Sequence, residues 1–255
     1  MIRKQFIGTA VASLLTLGIG TAAQAASIGW NFVATGYMPS SGVELDPSEV
    51  AGAPGFQQAN WNNHHSGGAQ APGETPFSLV DHNGNATSVV LESFTLTQNN
   101  SWAYGGVDAN SSPDEKLLNA FADKNPTLVF TGLNSFAPNG YTVVVYYGNN
   151  EWWNGNPLST LTVNGQSQNL RTNDTFANVG YILNNGTATS SVDETNRSNY
   201  AVFTGVTGDT LTISLTSPVN DGISAVQIIA NPIPEPATLG LMGLGGLLML
   251  RRKRN

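Results

Sequence analysis

Asp81, Asn83, Asn85 and Glu92 stand at positions 1, 3, 5 and 12 of the stretch DHNGNATSVVLE, the spacing at which oxygen side chains gather round a calcium ion. Such a loop turns sharply on a glycine at its sixth position, and Ala86 stands there instead. The flanks read as strands. A strand through Val89 to Glu92 carries Glu92 away from Asp81. The stretch is therefore read as a hairpin turn, and a structural calcium at these four residues is the competing expectation.

A second candidate is NNEWWNGN, residues 149–156. Trp152 and Trp153 in a polar loop offer flat apolar surface to a sugar ring, and Glu151 with the asparagines offers hydrogen bonds. Neighbouring side chains on an extended backbone point to opposite sides. Both rings then cannot easily face one ligand, and the competing reading has one tryptophan capping the core.

His64 and His65, near Trp61, could join His82 in a three-histidine site. Adjacent histidines rarely ligate one metal comfortably, and no HExxH pattern is present. Hydrogen bonding in loops is the better reading. Three Thr-Leu-Thr triplets, Thr95 to Thr97, Thr160 to Thr162 and Thr210 to Thr212, resemble the threonine arrays that order water on ice. They are irregularly placed along the chain, so they are read as solvent-facing positions of half-buried strands.

No G-x-S-x-G elbow, phosphate-binding loop or G-x-G-x-x-G after a strand is found. A glycosidase pair can hide among many acids, because its separation is not written in a sequence. A non-enzyme without a cofactor is expected.

These residues need elements to hold them. YTVVVYYG, from Tyr141 to Gly148, is β-branched and aromatic, as suits a central strand covered on both faces. TLTISLTS, from Thr210 to Ser217, alternates, with Leu211, Ile213 and Leu215 on one face. Further strands are read at Ser27 to Ala34, Thr127 to Gly132, Leu158 to Gly165, Asn199 to Val206 and Ile223 to Ala230. Phe77 to Thr97 reads as a hairpin turning at Asn83-Gly84. Residues 36–73 are rich in Gly, Pro, Asn and Ser and read as long loops. One helix of two or three turns is expected after Ser112, with Pro113 at its first position, Glu115 completing a capping box, and Leu117, Leu118 and Phe121 on its apolar side. Many strands, frequent turns and one short helix predict an all-β, jelly-roll-type β-sandwich.

The chain has no cysteine, which excludes a disulfide scaffold and a thiolate site. Between Ala26 and Ala230 four cations face sixteen acids, a formal charge of −12. Such a surface repels phosphate backbones, so nucleic acid is excluded as a partner.

The ends carry the address. Arg3 and Lys4, an apolar stretch from Phe6 to Ile19, and small residues at Ala23 and Ala25 make a secretory signal peptide over 1–25, with cleavage expected after Ala25. Residues 26–230 form the expected sandwich domain, and 231–255 form a tail. Pro232, Pro234 and Pro236 favour an extended tether. The apolar stretch from Ala237 to Leu250 has 14 residues, about 21 Å as a helix against a hydrocarbon core of about 30 Å. Arg251, Arg252, Lys253 and Arg254 would stay on the cytoplasmic side. A short, glycine-containing membrane helix of this kind suits a temporary anchor.

Pro234-Glu235-Pro236, the apolar run and the basic end together resemble the PEP-CTERM sorting signal, which also carries the label of an ice-binding protein C-terminal domain. The resemblance implies a bacterial exported protein, transient insertion in the inner membrane, recognition by an exosortase, and sorting to the cell surface or extracellular matrix. The label does not make the chain an ice binder. Less specifically, YTVVVYYG, LTVNG, NYAVFTGV and GISAVQII are similar to segments of galactose-binding-like jelly-roll domains, many of which bind sugars and some of which hold a structural calcium. The expectation is a non-catalytic binding module, with exopolysaccharide as its partner. A purely structural matrix protein and a carbohydrate-active hydrolase are the alternatives.

Overall fold

The computed structural model describes residues 25–34, 43–66, 73–96, 101–103, 107–123, 125–149, 158–172, 180–186, 188, 197–218 and 221–232. The expected signal helix, the hydrophobic tail helix and residues 233–255 lie outside them.

Alternation and β-branching translate into two sheets. The first takes β12 (Tyr200–Val206), β8 (Tyr141–Asn149), β14 (Asp221–Ala230), β1 (Ser27–Val33) and β2 (Asn62–His65) in that order, with β6 (Ala120–Ala122) paired to β14 and β5 (Ser101–Ala103) paired to β6. The second takes β11 (Arg197–Ser198), β10 (Gln166–Thr172), β9 (Ser159–Val163), β13 (Leu211–Thr216), β7 (Thr127–Thr131), β4 (Ala86–Thr95) and β3 (Phe77–Val80). From β7 to β14 the chain crosses from sheet to sheet at every step except β9 to β10 and β10 to β11, which stay in the second sheet. This is the roll-type winding of a β-sandwich.

The core lies between the sheets. Ile28, Trp30 and Phe32 of β1, Val143, Val145 and Tyr147 of β8, and Val226 and Ile228 of β14 meet Phe94, Phe130, Leu161, Ile213 and Leu215 from the other layer. Trp30 and Phe32 each meet Phe94 edge-on, at ring separations of 5.6 and 5.7 Å.

The first sheet is buried on its outer face too, as the near-continuous apolar run of β8 requires. Val144, Tyr146, Tyr200 and Ala225 pack there against Leu45, Ala51, Ala53, Trp61, Leu117 and Leu118. The segment expected as long loops is therefore largely a cover, and it contributes β2, which runs parallel to β1 with Phe32 opposite His64. Nothing in Asn-Asn-His-His signals a strand locally; the pairing with β1 makes it one.

The helix α1 (Pro113–Leu117) starts as expected. Ser112 accepts the Glu115 amide, and the Glu115 carboxylate accepts the Ser112 amide at 2.8 Å. It is shorter than expected, because Ala120 to Ala122 leave it to become β6, with Ala122 opposite Ile223. A second short helix, α2 (Leu133–Phe136), follows Gly132, whose φ of 80° suits glycine. Among the described residues no helix is long and apolar enough to cross a membrane.

β14 sets the long axis: its ten residues span about 33 Å. At one end Ala230 lies opposite Tyr141 and bonds to Ala26. At the other Asp221 lies opposite Asn149. The connections between β8 and β9 and between β10 and β11 both begin and end at the Asp221 end.

Candidate functional site

Asp221 sets the chemistry of that end. It opens β14 in the first sheet, and its carboxylate is buried. Oδ1 accepts the Thr172 hydroxyl of β10 at 2.7 Å. Oδ2 accepts the Ser159 hydroxyl of β9 in a very short contact. Ser217, just past β13, supplies a third hydroxyl. Ser159 and Thr172 belong to the second sheet and Ser217 follows directly from it, so one acid pins the layers together. Burial pushes its pKa up to about 6, with the hydroxyls pulling back part of the rise. Nearby, the Tyr147 and Ser198 hydroxyls are 2.8 Å apart, and burial raises the Tyr147 pKa. The sequence reading missed Asp221; its one local signal was a lone acid before an apolar strand.

The loop carrying Glu151, Trp152 and Trp153 lies outside the described residues. Its neighbours Asn149 and Ser159 are described, and both stand at the Asp221 end.

The calcium-loop residues divide. Asp81 Oδ1 accepts the amides of Asn83 and Asn85, each at 2.9 Å, and Oδ2 accepts Asn85 Nδ2 at 3.3 Å. These bonds hold the Asp81 carboxyl below the usual aspartate range against the opposing effect of burial. Gly84 takes the left-handed conformation at φ 81°. Glu92 is exposed well along β4 and does not join them. The cluster is a hydrogen-bonded hairpin turn rather than an open oxygen cage.

The histidines point apart. His64 is buried against Phe77, with ring centres 4.8 Å apart, and its Nε2 lies 2.8 Å from the Glu74 carbonyl. Burial lowers its pKa. His65 is on the surface, 3.1 Å from Glu44. His82 Nδ1 accepts the Ser27 amide at 3.2 Å. Among the described residues no group of three His, Asp or Glu is arranged to hold a metal. Trp61 belongs to the outer core, donating to the Gln58 carbonyl at 3.1 Å.

Register orders what looked irregular in the threonines. Thr95 lies opposite Thr127, Thr127 opposite Ser214, Ser214 opposite Thr162, and Thr162 opposite Ser167. One row of hydroxyls thus crosses five strands on the outer face of the second sheet, and Thr162 and Ser167 bond at 2.9 Å.

At the opposite end, a cavity of about 160 Å³ opens between the outer face of β1 and β14 and the 55–57 turn, lined by Ala25, Ser27, Phe56, Gln57 and Gln227 among others. Its floor is a closed amide network: Gln227 donates to Gln58 at 2.8 Å and accepts from the Tyr146 hydroxyl at 3.4 Å.

Fold and sites define an all-β sandwich in which Ala26 and Ala230 meet at one end and the β8–β9 and β10–β11 connections leave from the other. The tail adds the address: residues 232–254 match the family model of the PEP-CTERM protein-sorting motif. The chain is thus an exported protein bearing the signal that exosortases, which are membrane enzymes, process. No curated protein and no solved structure matches the chain, so the resemblance of the sandwich to galactose-binding-like domains gains no support there.

Proposed function

We propose that the sandwich is a non-catalytic module that binds extracellular carbohydrate after an exosortase sorts the protein to the cell surface or matrix. One observation carries the reading: the loop with Glu151, Trp152 and Trp153 springs from Asn149, at the end of β14 far from the tail. A chain tethered through Pro232 would hold Asn149, from which that loop continues, about 33 Å along the strand axis from the tether. An aromatic pair with a carboxylate beside it is suitable chemistry for sugar rings and hydroxyls.

The test is tryptophan fluorescence of the mature protein titrated with the producing cell's own exopolysaccharide. A saturable change that Trp152→Ala or Trp153→Ala abolishes supports the module. No change, or the same change in both variants, counts against it. Altered biofilm cohesion on deletion without glycan binding would mark a structural matrix protein. Reducing-end release that one carboxylate substitution abolishes would mark a hydrolase.

A further inference from the structure

The two ends of the sandwich meet in one ladder. β1 and β14 are antiparallel neighbours, with Ser27 opposite Ile229. The amide of Ala230 donates to the carbonyl of Ala26 at 2.8 Å. Ser27 is tied at both main-chain groups: its amide donates to His82 Nδ1 at 3.2 Å, and its carbonyl accepts the His82 amide at 2.8 Å. Ala25 forms part of the wall of the small cavity beside Phe56 and Gln57. The Ala25–Ala26 bond, where leader cleavage is expected, therefore borders the first rung of a closed sheet.

A peptidase takes its substrate as an added extended strand, with the main-chain groups around the bond free. In the closed sandwich the groups that follow this bond are already engaged. They become engaged late, because the antiparallel partner of β1 is the last strand among the described residues. Ala230 follows Ala26 by 204 residues, which at about 5–20 residues per second is about 10–40 s of synthesis. Leader and tail continue from neighbouring points, so a chain that kept its leader could still close. Closure does not require the cut, yet it engages the main chain that follows the bond, while Ala25 and Ala26 themselves stay half-buried.

We propose that pairing of β1 with β14 is a one-way gate on leader removal: the Ala25–Ala26 bond is cut only while β14 is absent from the sheet. This rests on reading residues 1–25 as a signal peptide.

The full-length precursor, made in cells depleted of signal peptidase and purified in detergent, is mixed with the purified peptidase. It is compared with Gly29→Val, where a Cβ would lie 2.5 Å from both Gln58 Nε2 and the Trp61 ring and keep β1 from seating. The native precursor should be cut about ten-fold more slowly, or less readily still, because cleavage waits on opening of the sheet. A second arm keeps the sequence constant and adds peptidase to the native precursor before and after refolding from urea; the refolded sample should be the resistant one. Equal rates in either arm overturn the gate. Failure to cut the open variant at Ala25–Ala26 overturns the gate and the signal-peptide reading together.

Discussion

Thr172 donates its hydroxyl to Asp221 at 2.7 Å, and the two residues belong to opposite sheets. With Ser159 on the other carboxylate oxygen, the acid holds β14 to β9 and β10 at the end of the sandwich that bears the β8–β9 connection. The Asp221 carboxyl is burial-shifted from 3.8 to about 6.

That shift fixes a sign. The folded state keeps its proton to higher pH than the unfolded chain, so the Asp221 contribution falls as pH rises from about 4 to about 6 and is flat beyond. The difference across the window is about 3 kcal/mol. His64 works oppositely, since its lowered pKa removes stability as pH drops below its ordinary 6.5. The Asp221 effect is therefore isolated by comparison with Asp221→Asn. Thermal melts of both proteins at pH 4.5 and 7.5 should show the variant gaining relative to wild type at the higher pH. An unchanged difference would refute the shift.

Asn62 replaces a missing stretch of ladder. Its side chain donates to the Gly29 carbonyl at 2.8 Å and the Val80 carbonyl at 2.9 Å, and accepts the Val80 amide at 2.8 Å, so it joins β1 to β3 across the two sheets. Asn62→Leu leaves these main-chain groups unpaired and should cost about 2–5 kcal/mol. Urea unfolding of the mature protein measures the loss.

Lys116 is 4% exposed, and its ammonium lies 2.5 Å from Glu49. Removing only the acid strands a buried cation: Glu49→Gln should destabilise by about 2–4 kcal/mol, less than a fully buried pair because Glu49 reaches solvent. The double variant Lys116→Met/Glu49→Gln should recover much of that loss. A double-variant cycle in denaturant gives the coupling, and additive losses would contradict the pairing.

The sorting tail makes its own prediction. Glu235→Ala, or loss of Arg251 to Arg254, should leave an unprocessed protein in the inner membrane. Fractionation and immunoblotting of the two variants check this, and normal release of either would contradict exosortase processing.

Asn164-Gly165 shows how far local signals reach. Both residues take positive φ, 44° and 83°, and Val163 faces Gln166 across a two-residue hairpin. The sequence reading ran a strand through Leu158 to Gly165 and so passed over this turn, and β10 was not read, because Gln-Ser-Gln-Asn lacks the apolar alternation that marks a half-buried strand. Ser112 and Glu115 wrote the start of α1 into the chain, but not its end, which the pairing of Ala122 with Ile223 decides.

The sequence by itself determined what is local or additive: the apolar runs of β8, β13 and β14, the helix cap, the acidic and cysteine-free surface, and the Pro-Glu-Pro, apolar and basic order of the tail. Only the tertiary structure decided which distant residues meet. Asp221 found its hydroxyls on three other segments, Asn62 found the edges of two strands, five hydroxyls fell into one row, and Ala26 met Ala230. Those meetings depend on register and sheet order, which the whole core sets at once, and no window along the chain contains both partners.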